Sequence, residues 1–153
     1  MEFNYNRGGY TRGSGKHRGD CVPRAITIAT QLPYETVYEE LKKRTTEWWN
    51  NSNTRETRDR KPERYKPHFG TYKKVYTPYL EELGWKWQPT MGIGTGCKVH
   101  LKASELPKGR IICRLSKHLV AVVDGVVHDT YNPSRDGTRC VYGYFYKMRN
   151  VNE

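Results

Sequence analysis

Residues 116–133 read SKHLVAVVDGVVHDTYNP, and this stretch decides the fold class. His118 to Val123 is an apolar run of strand length. Asp124-Gly125 is a strong two-residue hairpin signal, and Val126 to Thr130 returns along the first arm. Upstream, Gly109 opens Arg110-Ile111-Ile112-Cys113-Arg114-Leu115, another strand. Downstream, Asn132-Pro133-Ser134 and Asp136-Gly137 are turns, and Val141–Met148 (VYGYFYKM) is a last, aromatic strand. This part of the chain reads as an antiparallel meander.

The region before it has a helical period. In DCVPRAITIAT (residues 20–30), Val22, Ala25, Ile26 and Ala29 fall at i, i+3, i+4 and i+7. Asp20 reads as an N-cap. Pro23 is tolerated in a first turn, where the early N–H groups have no intrahelical partner. The helix starts at Cys21 and stops near Gln31, before Pro33. A second helix opens at Leu32-Pro33-Tyr34-Glu35. Its stripe is Tyr34, Val37, Tyr38 and Leu41, and Lys42, Lys43 and Arg44 stand near its end, as the helix dipole prefers. A third helix spans Tyr72–Leu83, with Gly84 as its stop and Pro78 arguing for a restart. From Trp85 the period changes: Trp85 and Trp87 alternate with polar residues up to Pro89, and Lys98–Leu101 reads as a short strand. Helices followed by a meander predict an α+β fold, with N-terminal helices packed on a C-terminal antiparallel sheet.

The 153 residues suffice for one domain. Residues 20–153 read as that domain, with an Arg- and Lys-rich loop at about 50–70. Residues 1–19, Gly-rich and basic, read as a flexible arm. Mean hydropathy is −0.93, and no apolar run approaches the ~18 residues that span a bilayer. The first residues hold no apolar secretory segment, so the expected setting is cytoplasmic, with no membrane partner. Four cysteines, at 21, 97, 113 and 140, form no CxxC pair, and the compartment rule predicts four reduced thiols. Cys97, Cys113 and Cys140 then read as packing residues. Cys97 and His100 make one close Cys–His pair, short of a zinc set, so no metal or cofactor is expected. Formal net charge is +11, which attracts polyanions non-specifically.

Three residues could carry chemistry. Cys21 stands at a helix N-terminus, where free N–H groups and the dipole favour a thiolate, the nucleophilic form. His118 begins a central strand and can serve as its base. Pairing about Asp124-Gly125 sets Val123 opposite Val126, so Asp129 falls near Val120, on the face His118 shares. A carboxylate there orients an imidazole and stabilises the imidazolium. Asn132 is the alternative third member. His128 alternates to the other face and reads as surface.

The order Cys, His, acid resembles the papain-like cysteine peptidase fold. GDCVPRAITIAT is similar to the nucleophile helix of small bacterial and phage members. SKHLVAVVDGVVHDTYNP is similar to their His strand, hairpin and acid strand, most of all in the branch that processes double-glycine leaders of bacteriocins. The resemblance covers about residues 19–31 and 110–146, and extends to uncharacterised phage and bacterial proteins. It implies a papain-like domain, host-cytoplasmic if phage-encoded, with Cys21 as nucleophile, His118 as base and Asp129 as orienting acid. The family commonly places a Gln a few residues before the Cys as oxyanion donor. Residues 15–20 hold none, which leaves His17 or the backbone N–H of Cys21.

The expected function is a cysteine hydrolase acting on a peptide or isopeptide bond through a thioester, with a peptide or protein as partner. The alternative is a catalytically silent module that binds nucleic acid or a host protein through its basic surface. Arg55, Arg58, Arg60, Lys61, Arg64, Lys66, Lys73 and Lys74 surround Tyr65, Phe69, Tyr72 and Tyr76. Cations track phosphates and rings stack on bases, yet no RNP, KH or zinc-finger signature is present. Trp48, Trp49, Trp85 and Trp87 read as core. The Gly92, Gly94, Gly96 loop lacks the lysine of a phosphate loop and reads as a cleft wall.

Overall fold

The computed structural model describes residues 1–9, 19–51, 71–92 and 94–147. Residues 10–18, residues 52–70 of the basic loop, and Met148 at the end of the last expected strand lie outside the described residues. The elements are β1 (Phe3–Tyr5), α1 (Cys21–Thr30), α2 (Tyr34–Asn51), α3 (Lys73–Glu82), β2 (Trp85–Pro89), β3 (Arg110–Leu115), β4 (His118–Val123), β5 (Val126–Asp129) and β6 (Gly143–Lys147). The strands form one sheet in the order β1-β5-β4-β3-β6-β2. Every pairing is antiparallel except β1 on β5. The fold is α+β, as its residue pattern predicts.

The continuous apolar run of β4 follows from its central place, with both sheet faces covered. Alternation sorts its side chains. Leu119 and Ala121 join Ile112 and Phe145 against Ile26, Leu41 and Leu80 of the helices. Val120 and Val122 turn the other way, to Ile111, Cys113, Leu115, Val127, Leu101 and Val141. Helix α1 lies along β4 and is buried from Val22 to Ala29, Arg24 included. That is wider than its four-residue stripe, because neighbours close on it from several sides. Gln31 ends it in the left-handed region, φ 65°, with its N–H on the Thr27 carbonyl.

Several expectations are corrected. Lys42, Lys43 and Arg44 sit mid-helix, because Thr45 and Trp49 continue the buried stripe and carry α2 to Asn51. Pro78 does not restart α3 but lies inside it. Val75, Tyr76, Tyr79 and Leu80 are all buried. At roughly 1.5–3 kcal/mol for each large side chain, they exceed the ~3 kcal/mol cost of an interior proline. The arm expected over residues 1–19 is a strand at its start: Phe3, Asn4 and Tyr5 pair with Val127, His128 and Asp129. Lys98–Leu101 makes only a single bridge, His100 to Cys140. That bridge draws Cys97 beside Cys140, Cα–Cα 5.8 Å, and the two form a disulfide rather than two packed thiols. Sequence spacing hides a partner 43 residues away.

The four tryptophans are core or core-flanking, as expected. Trp49 and Trp85 are buried, and Trp48 and Trp87 pack at the edge of the helix-side cluster. Gly143 makes room for Trp87, since a Cβ there would lie 2.3 Å from the indole.

Candidate active site

Three strand and helix ends meet at one rim of the sheet. Cys21 is the first residue of α1, His118 the first of β4, and Asp129 the last of β5. The two-residue turn Ser116-Lys117, with Lys117 at φ 55°, starts β4 at His118 opposite Leu115. The β4–β5 ladder pairs Ala121 with His128, so Asp129 follows one step beyond, as the hairpin count predicts.

His118 Nε2 and Asp129 Oδ2 lie 2.6 Å apart. Asp129 is 1% exposed and fully engaged: Oδ1 accepts from the Thr130 N–H at 2.7 Å and from Arg24 Nη2 at 2.8 Å. Cys21 lies close enough to act on the same ring, by hydrogen bonding and by charge. Burial opposes a charge on His118, yet the hydrogen bonds to Asp129 and then Cys21 outweigh it. Its pKa is pushed up to about 9. The ring is therefore an imidazolium at neutral pH.

Cys21 is a half-buried free thiol, and Cys113 is the other free cysteine among the described residues. Cys113 is sealed in the core, where burial pushes its thiol up. Cys21 and Val22 open α1, so their N–H groups have no intrahelical partner, and Pro23 has none to offer. His17, the other sequence-based oxyanion donor, lies outside the described residues. Tyr76 on α3 senses the charges of Arg114 and Cys21, and burial pushes its hydroxyl up to about 12, so it stays neutral. Tyr131, 49% exposed, holds its ring 5.3 Å from that of His118.

The remaining candidates separate clearly. Asn132 is turned to the Met1 carbonyl and the Ser134 N–H and leaves the third position to Asp129. His128 is a half-buried side chain whose Nδ1 faces the amides of Asn4 and Asn6, with burial and Arg110 lowering its pKa. Asp20 does not cap α1 with its side chain; its buried carboxylate takes the Arg24 guanidinium instead. Sequence reasoning missed Arg24. The available signal was an arginine four residues after an aspartate inside an apolar helix.

Of the basic and aromatic middle, Arg55 to Lys66, Tyr65 and Phe69 lie outside the described residues. Tyr72 packs on Trp48 at 5.1 Å, Tyr76 is buried against Phe145, and Lys73 sits over Trp87. Those rings are occupied by packing. A cavity of about 1180 Å³ opens at the far end of α1, beside Thr30, Arg110 and Lys147; its described lining includes none of Cys21, His118 and Asp129. Among the described residues no three His, Cys, Asp or Glu side chains gather to hold a metal ion. No helix among them is long and apolar enough to cross a membrane. No family model, curated protein or solved structure matches this chain.

Proposed function

We propose that this protein is a papain-like cysteine hydrolase that cleaves a peptide or isopeptide bond. The observation that carries the reading is His118 Nε2 held 2.6 Å from the buried Asp129 carboxylate, with Cys21 at the start of α1 near enough to act on the same ring. The Cys21 sulfur attacks the carbonyl carbon. The oxyanion forms at the start of α1, where the Cys21 and Val22 N–H groups have no intrahelical partner. His118 gives its proton to the leaving amine, and the C–N bond breaks to leave a thioester. His118, now neutral, takes a proton from water. The hydroxide attacks the thioester, releasing the acid and restoring the thiolate and imidazolium. Asp129 stays ionised and holds the ring in place. An amine in place of that water would make the same enzyme a transferase. The net charge of +11 favours acidic substrates by steering.

The test is alkylation of Cys21 by limiting iodoacetamide across pH 6–10. Cys97 and Cys140 are paired and Cys113 is sealed, so the site of labelling decides nothing; the rate does. An ordinary thiol is roughly 0.3% ionised at pH 6 and reacts about tenfold faster per pH unit. At pH 7 the wild-type chain reacts at least tenfold faster than H118A, and the gap closes above about pH 9, where His118 loses its proton. A tenfold climb per unit in the wild-type chain, unaltered by H118A, contradicts the reading.

A further inference from the structure

Arg24 carries a full charge inside the apolar helix α1, at 4% exposure. One guanidinium nitrogen, Nη1, meets Asp20 Oδ1, and the other, Nη2, meets Asp129 Oδ1 at 2.8 Å. Both carboxylates are 1% exposed. Burying an unpaired ion costs several kcal/mol, so the three charges hold one another in place. Asp20 directly precedes Cys21, and Asp129 holds His118. The guanidinium fork therefore joins the turn that bears the sulfur to the strand end that orients the ring.

The N-terminal segment closes over this link. Gly8, at φ 68°, lies so near that a Cβ would come within 3.3 Å of Arg24 Cα, Cγ and O. The Asn6 N–H bonds the Asp129 carbonyl at 2.9 Å. The groups acting on Arg24 are Asp129 from β5 and Asp20 and Cys21 at the start of α1.

We propose that Arg24 is a positioning residue of this site: forked between Asp20 and Asp129, it sets where the carboxylate that orients His118 stands relative to the turn that bears Cys21. The proposal rests on Cys21 and His118 being the reacting pair. A lysine could neutralise one carboxylate but could not bridge both in a fixed plane.

The experiment uses the full chain with R24Q and R24K, checked for folding by circular dichroism. It reads the His118 imidazole titration by NMR and the pH profile of Cys21 alkylation by iodoacetamide. Loss of the guanidinium charge alone would raise the His118 midpoint, so in R24Q a fall of at least one pH unit, with the Cys21 alkylation rate at pH 7 down more than tenfold, reads the loosened hold of Asp129 on the ring. R24K recovers part of both, because it restores the charge without the fork. If R24Q does not fold, R24K decides: its Cys21 alkylation rate at pH 7 still falls severalfold below wild type. A folded variant with wild-type midpoint and rate overturns the proposal. So does a loss of folded fraction while the folded remainder titrates unchanged, the mark of a merely structural arginine. If wild-type Cys21 behaves as an ordinary thiol, the hydrolase reading fails, and the His118 titration still reports on Arg24 separately.

Discussion

Replacing Asp129 with Asn isolates what the carboxylate does to His118. Asn keeps an acceptor oxygen but loses the charge that faces Nε2 at 2.6 Å. Burial, the largest influence on the ring, is then opposed by Cys21 alone among the groups that now hold it cationic, and the pKa drops from about 9 toward its ordinary 6.5. At roughly 1.4 kcal/mol per pH unit, that span is worth about 3 kcal/mol of folding stability. Its sign follows from the protons. Between pH 6.5 and 9 the native chain holds a proton on His118 that the unfolded chain has released, so stability falls as pH rises. The contribution is fully present below 6.5 and gone above about 9. Urea unfolding at pH 6, 7, 8 and 9.5 reads this directly. Wild type loses about 1.4 kcal/mol per unit across the window from this group, whereas D129N is flatter there. D129N also carries a pH-independent loss, because Arg24 keeps only Asp20. Parallel stability profiles for the two proteins would refute the assigned coupling.

Two further outcomes test other parts of the fold. The Cys97–Cys140 link closes a loop of 43 residues, for which chain entropy predicts about 4 kcal/mol; the double Ser variant should lose roughly 2–5 kcal/mol by urea unfolding while its Cys21 alkylation rate stays at wild type. Gly143→Ala drives a Cβ into Trp87 and to 2.8 Å from the Gln88 carbonyl. The β2–β6 pairing must shift, at a cost of about 1–3 kcal/mol, with a change in tryptophan emission; an unchanged unfolding midpoint would contradict the close packing described.

Legibility tracked the range of the physics involved. The hairpin register is local: Asp124-Gly125 sets Val123 against Val126, and simple counting carries Asp129 to the vicinity of His118. The start of α1 is local too, since its stripe and Pro23 place Cys21 at a helix end. Arg24 was legible only in half: its i,i+4 partner Asp20 is local, but Asp129 stands more than a hundred positions later, and the bridge has no meaning until that second carboxylate is placed. Asp20 misled for the same reason: a short acid before a helix predicts a cap, and a buried guanidinium outcompetes backbone N–H groups for it. The short β1 failed because three residues carry no usable period, and its pairing depends on an edge that other strands build.

From residue order alone came the α+β layering, the hairpin, the helix that begins at Cys21, and the three side chains of the candidate site. These depend on periodicity, turn chemistry and end effects acting over a few residues. The tertiary structure alone decided that β1 closes the sheet edge, that Cys97 meets Cys140, that α3 runs through Pro78, and that Arg24 spans two carboxylates. Each is a contact between distant segments or a burial energy summed over them, and neither quantity exists until the chain has folded.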